Sequence, residues 1–281
     1  MAARHDGRSA ATLRQLALST ALLSRADGSA KYSCGPISVL ASVAGPVEVR
    51  LRDEIVDRAT LEINIRPVRG LPGPSTKSLS SSLSQILVPI LLLNRYPRSL
   101  IQLSLQTLSL PTTKFSRPYR AFSDSSSTSP ESDEPSDVEY ESVAERAAII
   151  NAAVCALMDA GIGMIGMICA TAVAILPASS PPVNDAVKMD IDSSDPIIVL
   201  DPTAEEERDA FSTYCIGFSF GQGVGGAEGD MCFLEMGRGS CEEIQLLQAI
   251  DLARSAAQSI MNFIRKSQEA RYLPHVKLEP E

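Results

Sequence analysis

Apolar and polar positions change rhythm several times along the chain, and each change predicts an element. Near the N-terminus the period is two. Residues 16–23 read as a strand, and Arg25-Ala26-Asp27-Gly28-Ser29 reads as a turn with Asp-Gly as its hairpin signal. Residues 30–34 and 37–44 read as two more strands, and Gly45-Pro46 breaks the run. Alternation resumes over residues 59–67 and sets Leu61, Ile63 and Ile65 on one face. Beyond a Gly/Pro loop at residues 70–74, Leu79, Leu83, Ile86, Leu87, Ile90 and Leu91 fall at helical spacing. They predict a helix over residues 78–94, kinked at Pro89. Ser99–Ser109 returns to period two through Ile101, Leu103 and Leu105.

The second half repeats this plan. Residues 143–160 predict a helix with Ala147, Ile150, Val154, Leu157 and Met158 on its apolar side. A strand over 165–176 and a short one over 196–200 follow. Residues 211–220 and 231–236 then read as a hairpin around a Gly-rich loop. Ser240-Cys241-Glu242-Glu243 fits a capping box. It would open a C-terminal helix reaching about Arg271, with Ile244, Leu247, Ile250, Ala257, Met261 and Ile264 as its buried stripe. The expected class is α+β: mixed β-sheets packed with helices, in two similar halves.

One apolar stretch, residues 147–176, is long enough to span a bilayer and carries a single charge, Asp159. A carboxylate near the middle of a span costs about 3 kcal/mol on insertion scales. Asp159-Ala160-Gly161 also reads as a helix stop. A buried helix followed by a buried strand is therefore expected, with no membrane partner.

Composition changes this picture in two places. Residues 110–145 are rich in Ser, Pro, Asp and Glu and predict a disordered acidic insertion, and residues 178–195 predict a second loop insertion. Residues 272–281 read as a flexible tail, leaving one domain over 1–270. The formal charge of −9 would argue against nucleic acid, but it is unevenly spread. Residues 123–145 hold eight acids and no base, and residues 178–195 hold four acids and one base. The remaining 22 acids and 24 bases leave the body near neutral, at +2. Only two His occur, His5 and His275, which disfavours a His-rich metal site or a Ser-His-Asp triad. The six Cys (34, 155, 169, 215, 232, 241) form no CxxC pair and read as reduced, buried thiols of an intracellular protein. Residues 1–8 are charged and lack the apolar core of a signal peptide.

Three constellations could carry chemistry. Gly221-Gln222-Gly223-Val224-Gly225-Gly226 matches G-x-G-x-x-G, but a strand pattern rather than a helix follows, so a hairpin connection is expected. Asp201, Glu205, Glu206, Glu207 and Asp209 could bind Mg²⁺ or act as general acids; a solvated acidic helix start is the plainer expectation. Arg66, Arg69 and Lys77 flank the Gly/Pro loop, and Arg95 and Arg98 flank the next turn. Loops at one end of a sheet could bring these five bases together as an RNA-facing patch, with scattered surface charge as the equal alternative.

Four segments, in order, add a family likeness. They are Arg4-His5-Asp6-Gly7-Arg8; Ala26-Asp27-Gly28-Ser29-Ala30 with Gly45-Pro46-Val47-Glu48; Ile149-Ile150-Asn151-Ala152-Ala153 with Leu157-Met158-Asp159-Ala160-Gly161-Ile162; and Leu200-Asp201-Pro202-Thr203. Together they resemble the RNase PH family. Leu61-Glu62-Ile63, Arg66-Pro67, Gly70 and Tyr96-Pro97-Arg98 bring the likeness nearest to the ring subunits of the eukaryotic RNA exosome core.

The resemblance implies an RNase PH-like fold and phosphorolytic 3′-to-5′ cleavage of RNA in active members. Those members hold phosphate with a Gly-Thr-Arg-like segment. The corresponding place here is Leu110-Pro111-Thr112-Thr113-Lys114. Their helix Arg corresponds to residues 78–83, which contain none, and their paired catalytic Asp fall at Glu205 and Phe211. Phe211 cannot transfer a proton. The resemblance therefore implies a non-catalytic ring subunit, with no catalytic residue, cofactor or metal of its own. Its implied partners are other RNase PH-like ring subunits, RNA-binding cap subunits and RNA. Its implied work is ribosomal RNA maturation and RNA decay, in nucleus, nucleolus and cytoplasm. The alternative is an active phosphate-dependent 3′-to-5′ exoribonuclease.

Overall fold

Alternating stretches of β-branched and small residues pair into two sheets in the computed structural model, which describes residues 4, 6–68, 70–111, 142–177, 197–221, 225–240 and 242–272. The first sheet has the order β1-β2-β3-β5-β4. Its strands are β1 (Leu16–Thr20), β2 (Gly28–Cys34), β3 (Ile37–Glu48), β4 (Thr60–Arg66) and β5 (Ser99–Ser109). All pairs are antiparallel except β4 with β5, which is parallel. β3 does not stop at Gly45-Pro46. A register shift between Ala44 and Val47 absorbs the pair, and Val47 and Glu48 pair again with Leu100 and Ser99.

The parallel pair needs a crossover, and α1 (Pro74–Leu87) supplies it. This helix starts four residues before the sequence expectation. Pro74 sits in its first turn, where a missing N–H costs nothing. It also ends at Leu87, so Pro89 lies outside it rather than kinking it. Leu79, Leu83, Ile86 and Leu87 are its buried side. Ile90 and Leu91, expected on the same helix, are buried beyond its end, where Leu92 N–H donates to the Gly163 carbonyl at 2.8 Å and Ile165 N–H to that of Ile90 at 2.9 Å.

α2 (Val143–Asp159) is buried nearly all round, from Val143 to Leu157, rather than on one side. It packs against β2, β3 and β5 of the first sheet and β6 and β8 of the second. A helix sandwiched between two sheets needs apolar residues on every face, which explains an apolar run long enough to span a bilayer. No helix among the described residues is long and apolar enough to cross a membrane. Ser142 caps α2, its hydroxyl accepting from Glu145 N–H at 3.3 Å. The expected insertion over 110–145 is thus too long at its C-terminal end: residues 143–145 belong to the helix and Ser142 caps it. Residues 112–141, the 178–195 insertion, and residues 273–281 of the tail lie outside the described residues.

The second sheet has the order β7-β6-β8-β9, antiparallel throughout. Its strands are β6 (Met167–Leu176), β7 (Ile197–Leu200), β8 (Ser212–Gly221) and β9 (Gly226–Gly239). β8 and β9 are the expected hairpin, and the G-x-G-x-x-G run is its connection, with no helix opening from it. α4 (Glu243–Tyr272) covers the face of this sheet away from α2: Arg254 lies 5.8 Å over the Phe218 ring, whereas Val143 of α2 lies against Gly237 and Thr213. Glu243 is the first helical residue, so it cannot be the third-position partner of a cap at Ser240. The buried stripe of α4 is Ala249, Ala253, Ala256, Ala257, Ile260 and Ile264. Ile244 and Leu247 are exposed instead.

Candidate functional site

The acidic cluster lies where β7 ends and α3 (Ala204–Asp209), a single turn and a half, begins. Thr203 and Glu206 form the capping box that the sequence reading missed: Thr203 Oγ1 accepts from Glu206 N–H at 3.3 Å, and Thr203 N–H donates to Glu206 Oε2 at 2.8 Å. Asp201, just before, adopts a left-handed φ of 49° that turns the chain out of the strand.

This corner is clasped by the N-terminal arginines. Arg14 donates to the Asp201 carboxylate through its backbone N–H at 3.0 Å and its Nε at 2.8 Å, and Nη2 completes a two-toothed ion pair. Arg4 forks onto Glu206 at 2.8 and 2.6 Å and also donates to the carbonyls of Leu200 and Asp201. Arg8 donates to the Asp201 carbonyl at 3.2 Å and to Asp6 at 2.6 Å. The Cys34 thiol donates to Asp201 Oδ2 at 3.1 Å. Burial raises the Asp201 carboxyl, but hydrogen bonds and charge from Arg14 outweigh it and hold it below the usual carboxylate value. Glu206 behaves alike, with Arg4 and the Thr203 amide opposing burial. Burial and the Asp201 charge push the Cys34 thiol well up, so it stays protonated.

Glu207 is fully buried and leads elsewhere. Its Oε1 accepts from Ser142 Oγ and from Ala144 N–H, both at 3.0 Å, at the N-terminus of α2. Three of the five clustered acids are therefore internal ties, and the solvated helix start expected of them holds only for Glu205 and Asp209, which are exposed. Phe211 stands after α3 with 62% exposure. Among the described residues, no three His, Cys, Asp or Glu side chains come together as a metal would require. The signal that could have found the clasp is three Arg within residues 4–14 of a chain whose acids cluster at 201–209.

The basic residues are not brought together. β4 and β5 are parallel, so the chain leaves the far end of β4 at Arg66, enters α1 near Lys77, and returns to the near end before Ser99. Exposed Arg66 and Lys77 are thus separated from exposed Arg95 and Arg98 by the length of β4, seven residues or about 20 Å. Arg98 pairs with Glu54 at 3.3 Å. Arg69 lies outside the described residues, as do His5, His275 and Cys241. The remaining thiols are unpaired. Cys34, Cys155, Cys169 and Cys215 are buried as expected, but Cys232 is exposed.

The model of the 3′ exoribonuclease family, domain 1, matches residues 12–163. The exosome complex component RRP46 of Saccharomyces cerevisiae is 29% identical over 245 residues, which cover 87% of this chain and 91% of that protein. The exosome complex component rrp46 of Schizosaccharomyces pombe is 34% identical over 149 residues, 53% of either chain. The crystal structure of rice (Oryza sativa) Rrp46 superposes with a TM-score of 0.68 at 22% identity, over 94% of this chain and 99% of that one, and so shares the fold. Two sheets around a central helix, and a family match that spans the first sheet and that helix, lead to one assignment: the chain belongs to the RNase PH-like 3′ exoribonuclease family.

Proposed function

We propose that this chain is a non-catalytic subunit of the RNA exosome core ring. It supports 3′-to-5′ RNA processing and degradation, including ribosomal RNA maturation and RNA decay, by assembling with other RNase PH-like subunits and helping to channel RNA. RNA-binding cap subunits are further partners, and nucleus, nucleolus and cytoplasm are its expected locations. The similarity to two fungal exosome components supports the ring role.

The observation that carries the non-catalytic reading is the engagement of the acids after β7. Asp201, Glu206 and Glu207 are committed to Arg14, Arg4 and the start of α2. Of the two exposed acids that remain, Glu205 stands at one of the paired positions the resemblance implies and Asp209 at neither, while Phe211 stands at the other. One carboxylate cannot share proton transfer with a phenyl ring. RNA contact then falls to either of two separate basic groups, Arg66 with Lys77 or Arg95 with Arg98, and Arg69 remains a candidate beside the first.

Incubation of the purified chain, and of a ring containing it, with labelled RNA and inorganic phosphate tests this reading. No nucleoside diphosphate above the level of a ring lacking the chain is expected. Diphosphate release that disappears in Glu205→Gln would overturn it in favour of an active phosphorolytic exoribonuclease.

A further inference from the structure

The last turns of α4 leave a groove between the helix and the second sheet. Met261, Ile264 and Tyr272 bound it along one stripe of the helix, together with Arg265, Gln268 and Glu269. The opposite wall is Met158 near the end of α2, Met167 at the start of β6 and Phe220 near the end of β8. The space between the walls is about 890 Å³. Three flexible thioethers and an aromatic ring suit apolar side chains of varied shape.

One polar group in this groove has no partner. Gln268 Nε2 is shielded from water and donates to nothing among the described residues. A buried donor without an acceptor is costly, so the groove calls for an occupant that brings a carbonyl oxygen along with apolar side chains. At the rim, Arg265 Nε donates to Glu269 Oε1 at 3.0 Å, so one charge of each sign stands there.

The chain itself supplies such a segment. α4 ends at Tyr272, and that end is held in place: Arg271 pairs with Asp159 of α2 and donates to Thr20 Oγ1 at 2.6 Å. Residues 273–281, Leu-Pro-His-Val-Lys-Leu-Glu-Pro-Glu, thus start from a wall of the groove. Pro274 disfavours further helix. Val276 and Leu278 alternate with Lys277 and Glu279, the pattern of an extended segment with one apolar side. From Met261 to Tyr272 the groove follows α4 for about 16 Å, whereas nine extended residues reach about 30 Å. The segment is therefore long enough to turn back and cover the groove.

We propose that residues 273–281 fold back into the groove between the end of α4 and the second sheet. Val276 and Leu278 lie among the methionines, a peptide carbonyl accepts from Gln268 Nε2, and Lys277 and Glu279 meet Glu269 and Arg265. Tethering gives the segment an effective concentration on the order of millimolar, which a second copy or another protein would have to exceed. The inference does not depend on the ring reading.

The purified full chain is labelled at its methionine methyls with ¹³C, and a second sample carries a photo-crosslinking benzophenone amino acid at position 276. Irradiation should give a product with the mass of one chain, joining position 276 to Met158, Met167 or Met261. Adding Leu278→Asp should lower its yield by about tenfold. Deleting residues 273–281 should shift the methyl signals of Met158, Met167 and Met261 and leave that of Met236, at the other end of β9, in place. If the shortened chain misfolds, which the Met236 signal reports, Leu278→Asp in the full chain replaces it with the same three shifts expected. A product of two-chain mass, attachment of position 276 elsewhere on the chain or to another protein in material recovered from cells, or three unmoved methyl signals would each overturn the inference.

Discussion

Asp201 does more for this molecule than its place in an acidic run suggests. It receives Arg14, Cys34 and the arm carrying Arg8, all in a buried corner. Removing its charge leaves Arg14 buried without a counter-ion, which typically costs about 3–5 kcal/mol. Asp201→Asn should therefore lower stability by that order in a urea titration, whereas Glu205→Gln, on an exposed group, should change it by no more than about 0.5 kcal/mol. Asp201 and Glu206 both titrate below their ordinary values of 3.8 and 4.5 in the folded chain. As pH falls the unfolded chain binds these protons first. The stabilisation is thus full above about pH 4.5 and is lost as pH drops through the folded values. Melting temperature against pH should fall more steeply below pH 4.5 in wild type than in Asp201→Asn. Equal slopes would show that the clasp does not drive acid unfolding. Gly28 is a second decisive residue, since a Cβ there would lie 2.3 Å from Ala160 N and 2.6 Å from the Ala156 carbonyl. Gly28→Ala must push β2 away from the end of α2 and should cost about 3 kcal/mol in the same assay.

Single polar side chains tie elements together, in the middle of a helix as well as at its end. Asn151 of α2 donates to the Ala170 carbonyl at 2.9 Å and accepts from its N–H at 2.8 Å. β7 pairs with β6 only from Val173 onward, so the Asn151 amide takes the place of a missing strand partner. Asn151→Ala would leave two buried peptide groups unsatisfied, at about 1–3 kcal/mol each. Faster hydrogen exchange at Ala170 than at Ala174 should accompany the loss of stability. Asp159 ends α2 by accepting from Ser29 N–H at 2.8 Å and Ala21 N–H at 3.2 Å while pairing with Arg271 of α4. The lone charge of an apolar stretch is thus a three-way tie among α2, the β1–β2 hairpin and the last helix.

At the scale of the whole molecule, periodicity revealed most elements because period two and helical spacing report local geometry. Ser99–Ser109 and the β8–β9 hairpin follow directly from it. What periodicity does not carry is direction and depth. The parallel pairing of β4 with β5 is a tertiary fact, and it alone sends Arg66 and Lys77 to one end and Arg95 and Arg98 to the other. The depth of Asp201 and Glu207 depends on an arm and a helix far away in sequence, so a run of acids looks solvated until its partners are folded around it. Ile244 and Leu247 match the stripe expected of α4, yet helical spacing sets them on the far side of the helix from Ala249, Ala253, Ala256 and Ile260. The site was legible as a set of positions through the family likeness, while its ties were legible only in three dimensions. Twelve of the 34 acids lie within residues 123–145 and 178–195, so the charge of −9 describes those two segments more than the rest of the chain.

The central claim is that this chain works as one member of a mixed RNase PH-like ring. Native mass spectrometry of the complex recovered through a tag on this chain, expressed at its natural level, measures this directly. A hetero-oligomer containing one copy of this chain with other RNase PH-like subunits is the predicted result. A monomer, or an assembly of this chain alone, would contradict it.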